Sequence, residues 1–173
     1  SRGCPAKCTF CTAPRFFGPK VRYKSVRRVL DEIAFYLDAG YREVYFRDET
    51  FTFQRKRTRA ICEGILDRGL DVTWIANARV GNLGADELAL MKQAGCHYIK
   101  FGVESGVQEI LDRARKGIKV ERTLEDFRAA RNAGIDTHAH FMLGMPGETR
   151  DTVERTLEFA RRLPATTISI GIC

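Results

Sequence analysis

The sequence predicts an α/β fold built on a curved, all-parallel sheet. Short apolar, β-branched runs alternate with stretches of helical apolar spacing along the whole chain. Four of the helical stretches close on a glycine, at Gly40, Gly69, Gly95 and Gly134, and a strand pattern starts a few residues after each. Strand–helix alternation argues βαβ units, and right-handed crossovers curl such a sheet one way. No linker or composition shift interrupts the pattern, and 173 residues suit one domain with a sizeable core. Residues 1–173 are therefore expected to form a single domain.

The elements run in order. Gly18-Pro19 marks a loop, after which Ser25 offers an N-cap. Val26, Val29, Leu30, Ile33 and Leu37 then trace one helical face up to Gly40. Val44 to Phe46 reads as a short buried strand. Ile61, Ile65 and Leu66 mark the next helix, and Val72 to Ala76 the next strand. A third helix starts near Asp86 and carries Leu88 and Met91, and His97 to Val103 is a strand. The next helical pattern breaks around Lys116-Gly117 and resumes with Leu124 and Phe127. Thr137 to Leu143 is a strand, Val153, Leu157 and Ala160 a helix, and Ile168, Ile170 and Ile172 a last strand. In a β/α barrel the working loops come after the strands. The chain opens on such a loop, so the expectation is a core cut from a longer polypeptide, without its first strand and without a segment beyond Cys173.

Composition narrows the partners. No apolar run approaches the ~20 residues that span a bilayer, and no secretory pattern opens the chain. Free thiols suit a reducing compartment, so a cytoplasmic location without a membrane span is expected. The formal net charge of +7 permits an anionic partner. Its Lys and Arg residues are spread mostly over predicted helices, where a solvated face is the usual reason, so nucleic acid is disfavoured.

The chemistry is concentrated in the first eleven residues, where Cys4, Cys8 and Cys11 stand at C-x3-C-x2-C. Iron–sulfur cubanes normally take four thiolates. Three leave one iron an open position, the mark of a metal site that does chemistry. Zinc is the competing reading, but structural zinc favours paired C-x2-C motifs and no second pair exists. A non-enzymatic electron-transfer module would want a nearby fourth cysteine, and the next is Cys62, inside a helical pattern. Cys62, Cys96 and Cys173 show no spacing logic and read as small buried apolar residues.

Polar residues collect where the strands end. Asp48, Glu49 and Thr50 could bind an ammonium, Arg79 could fork a carboxylate, and Glu104 and Ser105 could take ribose hydroxyls or the ammonium. Gly144 and its neighbours let backbone approach a flat base closely. Singly, Asp48 and Ser105 are also ordinary at a helix start. His138, His140 and Met142 share one strand face by period two. They would meet substrate if that face lines a barrel, although packing with a satisfied histidine is the favoured reading.

The stretches RGCPAKCTFC, RDETFTFQRKR, FGVESGVQEIL and FMLGMPGET resemble the cobalamin-dependent branch of the radical S-adenosylmethionine superfamily. That branch includes B12-binding methylases and the anaerobic magnesium-protoporphyrin monomethyl ester cyclase type. It shares the last three stretches with tRNA methylthiotransferases, which leaves RNA modification as an alternative function. The resemblance implies a partial (β/α)6, TIM-like barrel whose first strand is absent here. It implies a 4Fe–4S cluster on Cys4, Cys8 and Cys11 and S-adenosylmethionine on the open iron, cleaved to a 5′-deoxyadenosyl radical. It places Phe10 beside the adenine, the Asp48-Glu49 region at the methionine amino group, and Glu104-Ser105 near the cofactor. A small-molecule substrate and an electron donor such as flavodoxin or ferredoxin are implied as partners. Cobalamin would come through a domain outside these residues, since the Asp-x-His-x-x-Gly run is nowhere in the sequence.

Overall fold

The computed structural model describes residues 1–173. The order is α1 (Ala13–Phe17), α2 (Val26–Asp38), β1 (Glu43–Phe46), a 3-10 turn (Phe51–Phe53), α3 (Arg55–Asp67), β2 (Thr73–Ala78), α4 (Ala85–Gln93) and β3 (Cys96–Glu104). Then come α5 (Gln108–Arg113), α6 (Val120–Asn132), β4 (Asp136–Leu143), α7 (Arg150–Arg162) and β5 (Thr167–Ile172). The five strands form one sheet in the order β1-β2-β3-β4-β5, every pair parallel. Each strand pairs with the next in sequence, which is what repeated βα units of one hand produce.

The alternation of each strand sorts its residues. Trp74, Ala76 and Ala78 of β2, Ile99, Phe101 and Val103 of β3, and Ala139 and Phe141 of β4 are buried against the helices. Ile61 and Ile65 of α3, Leu88 and Met91 of α4 and Phe127 of α6 complete that core. Fully burying one such large side chain is worth roughly 1.5–3 kcal/mol, so this layer dominates stability. The Trp74 indole N–H is satisfied in the core, donating to the Ala94 carbonyl at 2.7 Å. Ser25 caps α2, its hydroxyl accepting from the Arg28 amide at 3.2 Å. The glycines that close α2, α3, α4 and α6 all hold positive φ, from 59° to 92°.

The structure departs from the sequence expectation in three places. Helix α1 and the 3-10 turn are not legible as periodic patterns, because five and three residues give too few turns to show one. Cys173 is exposed rather than buried: it comes just after the edge strand β5, whose outward Ile168 and Ile170 are 41% and 46% exposed. Cys62 and Cys96 are fully buried as expected, and burial pushes the Cys62 thiol up to about 12. Basic residues on the helices sit largely in exposed pairs such as Arg28–Glu32 and Arg150–Glu154, each worth little in water. No helix is long and apolar enough to cross a membrane.

Candidate active site

The opening cysteine loop is anchored at both ends by backbone. Arg2 and Arg22 form an antiparallel bridge, and the Cys4 amide donates to Gly18 O at 3.3 Å. Gly3 has φ 101°, and a Cβ there would stand 2.4 Å from the Lys20 carbonyl oxygen, so only glycine fits. Further along, the Thr9 amide donates to Ala114 O at 3.0 Å, tying the loop to the end of α5. Phe10 packs there against Val107, Ile110, Ala114 and Met145.

These contacts bring Cys4, Cys8 and Cys11 to the wall of one cavity of about 460 Å³. Phe10, Glu49, Thr50, Arg79 and Glu104 line the same cavity. Arg79 Nη1 points at Cys8 Sγ from 3.8 Å. Burial pushes the Cys4 thiol up and the Cys11 and Cys8 thiols add to the shift, while the Ala6 backbone and Arg79 oppose it. A metal taking these sulfurs as thiolates therefore displaces protons. The three thiols share the wall without forming a ready-made closed metal cage.

Glu104 is held in an unusual backbone state. A register shift between Gly102 and Glu104 breaks the β3–β4 ladder, and Glu104 has φ 69°. A non-glycine residue in the left-handed region costs on the order of 1–3 kcal/mol, and such strain gathers at functional sites. The bulge turns the carboxylate toward the cavity, where Glu104 Oε1 accepts from Lys116 Nζ at 2.6 Å. Their side chains are only 6% and 9% exposed. A Cβ on Gly102 would lie 2.5 Å from Glu104 Oε1 and 2.8 Å from Lys116 Nζ, so that glycine makes room for the pair. The Lys116 ammonium also lies 5.8 Å from the Phe10 ring centroid. Glu104 Oε2 and Glu49 Oε2 are buried with no hydrogen-bond partner. Buried orphan acceptors are costly and ask for a donor.

Asp48, Ser105 and Gly144 do not line this cavity. Asp48 Oδ1 accepts from the Ser1 hydroxyl, and its side chain faces a neighbouring groove. Ser105 is fully buried; its hydroxyl bonds Thr156 Oγ1 at 3.0 Å and accepts from the Val107 amide at 3.1 Å, serving the start of α5. Gly144 sits in an exposed turn whose amides are taken by the Glu148 carboxylate. His138 and His140 do line the cavity; both ring nitrogens of His138 are engaged by Thr167 and Ser169, and Nδ1 of His140 by Ser169. Lys116 and Lys100 carry no sequence signal for the site; beside a glycine at a helix break, Lys116 has the signature of a solvated turn.

The family model described as the radical SAM superfamily matches residues 1–160. This chain belongs to the radical S-adenosylmethionine superfamily, whose members use a 4Fe–4S cluster and S-adenosylmethionine. It is 38% identical over 164 residues to an uncharacterized methyltransferase of Pyrococcus horikoshii, covering 94% of this chain and 36% of that protein. It is 33% identical over 166 residues to the anaerobic magnesium-protoporphyrin IX monomethyl ester cyclase of Rubrivivax gelatinosus, covering 93% and 29%. Among solved structures, the radical S-adenosylmethionine methyltransferase TsrM of Kitasatospora setae, with cobalamin and a 4Fe–4S cluster bound, superposes with TM-score 0.92. That match covers 98% of this chain and 35% of TsrM at 21% identity, and it establishes the fold: a partial parallel barrel. The chain spans about a third of the length of the curated relatives it matches.

Proposed function

We propose that this chain is the radical-generating core of an enzyme that performs methyl transfer or cyclisation on a small molecule. Cys4, Cys8 and Cys11 would hold the cluster, leaving S-adenosylmethionine to bind beside them. Held there, the cluster would supply the electron for reductive cleavage of S-adenosylmethionine. The residues fit these groups on one observation above all: three thiols without a fourth share a cavity with two buried carboxylate oxygens that lack donors. Glu49 rather than Asp48 is the acid placed to receive the methionine ammonium, because Glu49 lines the cavity with an unpartnered oxygen and Asp48 lies outside it. Glu104 offers its orphan oxygen to a ribose hydroxyl or the ammonium, and Lys116 holds that carboxylate in place. Phe10 presents a flat face beside the adenine. Arg79 places a fixed positive charge beside Cys8.

Cobalamin enters this reading through the rest of a longer polypeptide, as does the docking of a low-potential electron donor such as flavodoxin or ferredoxin. Anaerobic reconstitution tests the proposal. One 4Fe–4S cluster per chain is expected by iron and sulfide analysis, and Cys8→Ala should abolish the charge-transfer absorption. Added S-adenosylmethionine should shift the electron paramagnetic resonance of the reduced cluster, and Glu49→Gln should weaken that response more than Asp48→Asn. Full cluster absorption in Cys8→Ala would overturn the ligand assignment.

A further inference from the structure

The cavity has a second polar region, distinct from the cysteine end. In β3 and β4 the residues opposite the helix-facing core alternate as Lys100 and Gly102, and as His138 and His140. Register places Lys100 beside Asn77 and His138, His138 beside Thr167, and His140 between Gly102 and Ser169. The side chains of Lys100, His138, His140 and Ser169 thus meet on the concave face, and all four line the cavity. Lys100 lies four residues before Glu104, about 13 Å along an extended strand. His140 nevertheless stands opposite Gly102, over which the Glu104–Lys116 pair packs, so the cluster adjoins that pair.

This cluster is cationic and uncompensated. The Lys100 ammonium lies 5.5 Å from the centroid of the Tyr45 ring and enters none of the ion pairs of the fold. No acid pairs with Lys100, although Glu49 and Glu104 line the same cavity. Glu43 binds His97, Asp136 accepts from Thr166, and Glu104 holds Lys116. Ser169 Oγ bridges His138 Nε2 and His140 Nδ1, both at 2.8 Å. His138 Nδ1 is taken by Thr167 Oγ1 at 2.8 Å. His140 Nε2 makes no hydrogen bond, so a ring whose Nδ1 accepts from Ser169 presents Nε2–H to the cavity. A half-buried ammonium, a free imidazole N–H and a bridging hydroxyl on one wall are donors waiting for an acceptor.

We infer that Lys100, His138, His140 and Ser169 form the subsite for an oxyanion, a carboxylate or a phosphate, carried by the substrate. This rests on reading the cavity as the radical enzyme's reaction chamber. The bound anion would sit on the Lys100–Ser169 wall of the cavity, which orients the substrate with its uncharged part toward the cysteines.

The chain has only three histidines, which makes the test direct. His97 pairs with Glu43 and does not line the cavity, so it serves as an internal reference. Histidine-labelled full chain, without metal, is titrated with inorganic phosphate and separately with succinate at constant pH and ionic strength. Saturable shifts of the His138 and His140 ring signals with His97 unmoved are expected, and the tighter probe tells phosphate from carboxylate. Lys100→Met should weaken the apparent affinity about tenfold, the loss of one charge-assisted contact, and Lys100→Arg should restore most of it. His140→Gln supplies a second variant that removes the free donor without removing the lysine. Unsaturable shifts, equal movement of His97, or affinity unchanged in both Lys100→Met and His140→Gln would overturn the subsite. Iron loading is measured on separate samples, so a chain that binds the anion but takes no cluster counts against the proposed function and not against the subsite.

Discussion

Lys116 and Glu104 show how much a single buried pair decides. Neither side chain can reach water freely, and Lys116 Nζ donates to Glu104 Oε1 at 2.6 Å. Lys116→Met leaves the Glu104 carboxylate buried and unpaired, which should cost roughly 3–5 kcal/mol. Urea denaturation checks it, and adding Glu104→Gln should recover most of the loss, since removing both charges is far cheaper than stranding one. A double variant no more stable than the single would show that Lys116 acts through packing alone. His138 carries a different residue-scale expectation. Burial, then Lys100, then His140 lower its pKa from the ordinary 6.5. The remaining neighbours that face it, Thr167 and Ser169, are uncharged. The unfolded chain therefore takes this proton first as pH falls. The stability linked to His138 is fully present above about 6.5 and is lost as pH drops through the window below it, down to the native value. Titration of the His138 ring by NMR should give a midpoint below 6.5, and Lys100→Met should raise it without restoring 6.5, because the burial remains.

At the scale of elements, the cysteine loop is held by backbone contacts rather than by a core of its own. None of its residues belongs to the main apolar cluster. Gly3→Ala should therefore spoil the loop without unfolding the sheet, because the new Cβ meets Lys20 backbone and the φ of 101° resists any side chain. Iron per chain after reconstitution should fall severalfold while far-UV circular dichroism stays as in the parent. An unaltered iron content would mean the loop can be rebuilt by metal binding alone. The elements themselves were largely readable. Every strand and every helix longer than six residues falls where apolar spacing put it, since core burial imposes that spacing directly. The short α1 and the 3-10 turn were not, because five and three residues are too few to leave a period, although the turn buries Phe51 in the core.

Across the whole molecule, stability is graded from the centre of the sheet outward. β3 is hydrogen-bonded on both sides and most of its side chains are buried or half-buried. β1 and β5 each have one unpaired edge, and the outward isoleucines of β5 are largely open to water. Hydrogen exchange should track that order, with β3 amides slowest and those of β1 and β5 fastest among the strands. Protection of β5 equal to that of β3 would contradict it. The cavity crosses this gradient: the Glu104 bulge is carried by the most stable strand, whereas Ser169 stands on an edge.

The amino-acid sequence by itself determined the order and type of the elements, the parallel sheet and the cysteine spacing. Each of these is written in local periods or in residues a few positions apart. It also marked the strand ends as the working edge, because the βα unit puts every such loop on one side. Only the tertiary structure decided which marked residues meet. Phe10 and Thr9 find the end of α5 more than a hundred residues away. Glu49 faces the cavity while its neighbour Asp48 turns to the adjoining groove, a difference of side-chain direction that no spacing rule records. Ser105 went to the helix start rather than to the cavity, and Lys116, which looks like a surface lysine in sequence, became the buried partner of Glu104. The Lys100–His138–His140–Ser169 cluster belongs to the same class. It exists only because register sets three strands side by side, and register is fixed by the packed core rather than by any one segment.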